Sequence, residues 1–117
     1  MRSLTLLLLA VLILNIKTFA ADTIVKGHLS DAACSAIKAR KPGFAAKHSV
    51  ACMRMGRCEA SGYGVLTGDN QFIKFDKEGN EKALKFLGDV NKQTDIKVAV
   101  TGVVTGDQMT VSKIELQ

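Results

Sequence analysis

The sequence predicts a mainly β, α+β domain: a five-stranded OB-like Greek-key barrel, with a helical insertion after the first strand and a helix between the third and fourth. Three observations carry this expectation. Five short stretches have the β-branched content or the alternation of strands. Two turn signals, Gly68-Asp69-Asn70 and Thr105-Gly106-Asp107, join pairs of them into hairpins. One amphipathic stretch falls between the third and fourth strands, which is the order of an OB-type barrel. An open antiparallel α+β sandwich is the alternative arrangement. With 117 residues, 47% of them apolar, the chain can bury one core and hardly two.

Residues 23–29 (TIVKGHL) form the first expected strand. Ser30 and Asp31 can cap a short helix over 32–39, which Pro42 and Gly43 break. An Ala- and Met-rich stretch, 44–55, suits a second helix that Gly56 ends. Residues 63–67 and 71–76 make the next hairpin. Asn80 can cap a helix over 81–87, with Ala83, Leu84 and Leu87 on one face and Gly88 as its stop. Residues 96–104 alternate, with Ile96, Val98 and Val100 one way and Lys97, Ala99 and Thr101 the other, and 108–116 complete the sheet. In that last strand Met109 and Val111 share one parity while Ile114 and Leu116 share the other. A period of two cannot place all four inside, so a β-bulge is expected near Ser112-Lys113.

The N-terminus reads as an address. A basic start at Arg2 precedes a run from Leu4 to Ile16, apolar apart from Thr5 and Asn15, and then Lys17 and small residues up to Ala20. This is the pattern of a secretory signal peptide over 1–20, with a single domain over 21–117. A membrane anchor needs about 20 apolar residues, more than this run offers. The expected location is periplasmic or secreted, an oxidising compartment in which no stable membrane span remains.

The charge is unevenly placed. No acidic residue lies between Ala32 and Cys58, whereas Lys38, Arg40, Lys41, Lys47, Arg54 and Arg57 give this insertion six positive charges. An anionic partner is one reading, and a solvated helix pair kept soluble by its charge is the other. Nucleic acid is not expected. The aromatic residues available for base stacking, Tyr63, Phe72 and Phe75, are few, and Phe72 and Phe75 have opposite parity.

The insertion, at about 30–60, also holds the chemically distinctive residues, Cys34, His48, Cys52 and Cys58. His48 and Cys52 stand four apart, one face of a helix. Three thiolates and an imidazole are a tetrahedral ligand set for zinc, and with Met53 and Met55 nearby they also suit copper(I). In an oxidising compartment a disulfide between two of Cys34, Cys52 and Cys58 is the competing reading, and spacing does not choose among the three pairings. A thiol enzyme using Cys52 and His48 is a third. It lacks a Cys-x-x-Cys motif and any acidic residue between Ala32 and Cys58 to orient the imidazole.

The stretches Gly27-His28-Leu29-Ser30-Asp31-Ala32-Ala33-Cys34, His48-Ser49-Val50-Ala51-Cys52 and Cys58-Glu59-Ala60-Ser61-Gly62-Tyr63-Gly64-Val65, with Lys74-Phe75-Asp76 and Val98-Ala99-Val100-Thr101-Gly102, resemble a group of small exported bacterial proteins of unknown function. The likeness spans nearly all of 21–117. It implies a bacterial exported domain with an OB-like barrel, implies no activity, and leaves disulfide and metal both open. The expected function is a non-enzymatic binding module for zinc or copper through Cys34, His48, Cys52 and Cys58. The alternative is a disulfide-stabilised accessory domain that meets an anionic partner through the basic insertion.

Overall fold

Alternating apolar residues at Val98, Val100 and Gly102, with Met109 and Val111 opposite, give the sheet one buried face, and the rest of the chain is arranged around it. The structure is a computed structural model that describes residues 22–117. The signal-peptide reading of 1–20 concerns a stretch outside the described residues. Among those described, no helix is long and apolar enough to cross a membrane.

The elements run β1 (Thr23–Asp31), α1 (Ala32–Lys38), α2 (Phe44–Lys47), α3 (Val50–Met53), α4 (Gly56–Ser61), β2 (Tyr63–Leu66), β3 (Phe72–Phe75), α5 (Lys77–Asp89), β4 (Lys97–Thr105) and β5 (Gln108–Leu116). The architecture is α+β. The five strands form a mixed sheet in the order β1-β2-β3-β5-β4, and β4 pairs back onto β1 to close the ring. Every pairing is antiparallel except a short parallel ladder between β3 and β5. Leu29, Val65, Phe75, Val98, Val100, Met109 and Val111 fill the interior, and α5 adds Ala83 and Leu87.

The parity conflict in the last strand is resolved by an extra residue. Thr101 pairs with Lys113 while Gly102 pairs with Val111, so Ser112 has no opposite number. Its hydroxyl donates to the Thr101 carbonyl at 3.1 Å. The bulge needs Gly102: a Cβ there would stand 2.0 Å from the Thr110 carbonyl oxygen. Gly102→Ala is therefore expected to cost about 1–3 kcal/mol, as overpacking against backbone does. A urea midpoint equal to that of the parent chain would contradict this.

Three local expectations are corrected. The second helix does not run through 44–55. It stops at Lys47 because His48 turns extended, with ψ 121°, and Ser49 starts a new helix by accepting from the Cys52 amide at 3.0 Å. Gly56 begins α4 instead of ending a helix. The later helix, α5, starts at Lys77 because Asp76 is its cap, accepting from the Gly79 amide at 3.0 Å, and it passes through Gly88. Asn80 is released from capping, and its side chain accepts from the Tyr63 amide at 2.8 Å.

Candidate functional site

The first strand runs two residues past its expected end, and this places the site. Asp31 closes β1 opposite Tyr63 and, still extended at φ −102° and ψ 155°, caps α1. One of its carboxylate oxygens, Oδ2, accepts from the Cys34 amide at 2.9 Å. The other, Oδ1, takes Nε2 of His48 at 2.5 Å. The Asp31 residue is 0% exposed and His48 6%. Burial alone would raise the Asp31 pKa, but the hydrogen bonds from His48 and the Cys34 amide outweigh it and hold the carboxyl below its ordinary value. An ionised carboxylate only accepts, so Nε2 of His48 carries the proton of this bond.

The insertion is pinned to the link between α5 and β4 and to the sheet. The Val50 amide donates to the Gln93 carbonyl and the Asp95 amide to the Ala46 carbonyl, both at 2.9 Å. The buried Tyr63 hydroxyl donates to the Met53 carbonyl at 2.8 Å. The Ala33 amide meets the Ser61 hydroxyl at 3.1 Å, which ties α1 to α4. The Phe44 ring covers the imidazole of His48 at a centroid distance of 4.7 Å. Cys34 on α1, His48 between α2 and α3, Cys52 on α3 and Cys58 on α4 are thereby gathered in one place.

The donor atoms fall into two groups of three rather than one of four. Cys34 Sγ, Cys52 Sγ and a ring nitrogen of His48 all lie within 4.8 Å of one another. So do Cys34 Sγ, Cys58 Sγ and a carboxylate oxygen of Asp31. His48 and Cys52 meet as their spacing suggested, although not on one helix, since His48 lies in the link between two. All three cysteines are free thiols. Cys34 and Cys58 approach to 4.0 Å, well beyond the bond of about 2.05 Å that a disulfide would need. The disulfide expectation is corrected to that extent.

Burial, and then the negative charge of Asp31, push the Cys34 thiol up to about 12. The same two causes raise Cys58. Without a cation these two thiols stay protonated at neutral pH. Cys52 is the partly exposed member of the cluster. The two methionines that favoured copper(I) are elsewhere: Met53 belongs to the hydrophobic core and Met55 is 61% exposed.

Asp31 is the residue that sequence reasoning left out of the site. Helix capping alone accounts for Asp31 in the sequence, and it stands just before the acid-free stretch from Ala32 to Cys58. The Asp31-x-x-Cys34 spacing was the available signal, since a cap at Asp31 sets its carboxylate beside the Cys34 amide.

Lys38, Arg40, Lys41, Lys47, Arg54 and Arg57 are all exposed, and none forms an ion pair among the described residues. Tyr63 and Phe75 are buried and Phe72 half-buried, so these rings make no exposed stacking surface. His28 is paired with Asp95 at 2.7 Å, and its hydrogen bond holds the Asp95 carboxyl below its ordinary pKa. No family model matches the chain, and no curated protein or solved structure is detectably similar to it.

Proposed function

We propose that this domain is an exported, non-enzymatic binding module that holds a soft or borderline metal ion on its Cys/His cluster, with zinc fitting the donors better than copper(I). The convergence of Cys34 Sγ, Cys52 Sγ and a ring nitrogen of His48 within 4.8 Å carries the reading. A zinc ion with Zn–S bonds of about 2.3 Å holds its sulfurs about 3.8 Å apart, so the donors need to close by about 1 Å at most. Asp31 gives His48 a carboxylate partner on Nε2, and ligating histidines ordinarily carry such a partner on the nitrogen that does not bind the metal. With the proton on Nε2, Nδ1 keeps its lone pair for the metal. When bound, the ion draws protons from the thiols and makes their burial as thiolates affordable.

The ring order, with α5 between β3 and β4, supports an OB-like reading of the fold. The N-terminal sequence pattern and the resemblance to exported proteins support a periplasmic or secreted location.

Native mass spectrometry of the reduced chain with zinc tests the function. The parent chain is expected to retain zinc until a chelator is added, and His48→Ala to bind it at least about 100-fold more weakly, since losing the ligand costs no less than losing its carboxylate partner. A parent chain that takes up no zinc overturns the reading. Retained zinc in His48→Ala with lost thiol reactivity would turn attention to Cys52 as a nucleophile, with His48 and Asp31 behind it.

A second reading is favoured by the six exposed, unpaired basic side chains of the insertion: the same face meets an anionic partner. Such binding would weaken steeply with added salt.

A further inference from the structure

Building on the metal-binding reading, we propose that the cluster takes two metal ions bridged by the Cys34 thiolate, one held with His48 and Cys52 and the other with Asp31 and Cys58. A single ion in a Cys3His set would require its four donors to stand mutually close. They form instead two groups of three that share Cys34 Sγ, and the second group recruits Asp31. A thiolate sulfur has lone pairs enough to bridge two ions. Each carboxylate oxygen of Asp31 likewise has two lone pairs, so it can ligate a cation while still accepting from His48 and the Cys34 amide.

Charge points the same way. Cys34, Cys52 and Cys58 as thiolates, with the Asp31 carboxylate, bring four negative charges to a site where only Cys52 is not buried. One divalent cation balances only two of those charges and leaves Cys58 a protonated thiol, because a buried thiolate without a cation is strongly unfavourable. Two divalent cations cancel them. Loading the site in this way forms metal–sulfur bonds at all three cysteines and releases their three thiol protons to solvent. No electron is transferred.

The two positions differ in access. Asp31, Cys34 and Cys58 are 0%, 8% and 5% exposed, whereas the other group opens to solvent at Cys52. A chelator should therefore strip one ion quickly and the other slowly.

The test is a zinc titration of the reduced, full-length domain followed by native mass spectrometry, with Cys58→Ser in parallel. Two zinc increments are expected for the parent chain and one for Cys58→Ser, with two-phase removal by a chelator in the parent alone. Saturation at one zinc overturns the two-ion proposal and leaves the metal-binding reading standing, whereas no zinc at all overturns both. Two increments in Cys58→Ser would place the second ion elsewhere and also overturn the proposal. Cobalt(II) loaded into the parent chain gives an answer independent of how the variant folds. A cobalt resonance that rises with the first equivalent and falls with the second reports coupling through a shared thiolate, and two additive, uncoupled signals would refute the bridge.

Discussion

Replacing Asp31 with alanine is expected to lower the stability of the metal-free domain by about 2–4 kcal/mol. The side chain has two partners, and neither has a substitute nearby. Losing the cap over α1 costs about 1 kcal/mol. Leaving the buried Nε2–H of His48 without an acceptor costs about 1–3 kcal/mol more. For a domain of this size, with about 5–15 kcal/mol to lose, that is a large share. Asp31→Asn separates the two roles. Its single carbonyl oxygen still accepts from the Cys34 amide, so the cap survives. Its amide faces His48 with a donor, which favours the proton on Nδ1 instead of Nε2 and removes the lone pair a metal needs. The expected result is a thermal midpoint close to the parent's combined with a loss of about 10–100-fold in zinc affinity. Equal zinc affinity for Asp31→Asn and the parent would remove Asp31 from the site.

Much of the sheet was legible because strand parity is a strong constraint. The alternation in 96–104 fixed which face of β4 is buried, and the conflict between Met109/Val111 and Ile114/Leu116 located the bulge at Ser112. The helices were less legible because their ends depend on side chains that have competing uses. Ser49 and Asp76 cap helices that composition alone would have started elsewhere, and Asn80 serves the Tyr63 amide across the fold. The four chemically distinctive residues, Cys34, His48, Cys52 and Cys58, could be singled out by type. Their partner, Asp31, could not, because its second hydrogen bond joins residues 17 positions apart and exists only once α2 and α3 fold back over the end of β1. Sequence spacing reports local geometry well. It does not report which oxygen of a capping carboxylate remains available after the cap is made.

The largest functional effect is expected from Cys34→Ser, and its size relative to its neighbours is informative. Cys34 Sγ belongs to both groups of donors, Cys52 and Cys58 to one each. Cys52→Ser and Cys58→Ser should each leave one set of three donors complete and one zinc ion bound. Cys34→Ser reduces both sets to two protein donors and should abolish zinc retention altogether. The stability readout follows from linkage. At a free zinc concentration 100 times its dissociation constant, one bound ion stabilises the folded chain by about 2.7 kcal/mol, and a variant that binds none gains nothing from zinc. Unfolding curves of the reduced variants, with zinc and with chelator, should therefore coincide for Cys34→Ser and separate for the other two. Folding itself should survive the change, since the backbone N–H of a serine at this position still donates to the Asp31 carboxylate, and the residue sits near the hydrogen-bonded Ser30–Ser35 pair. If all three serine variants lost zinc equally, the cysteines would be equivalent ligands of one ion. If Cys34→Ser alone kept it, the thiol at the junction of the two groups would have no part in binding.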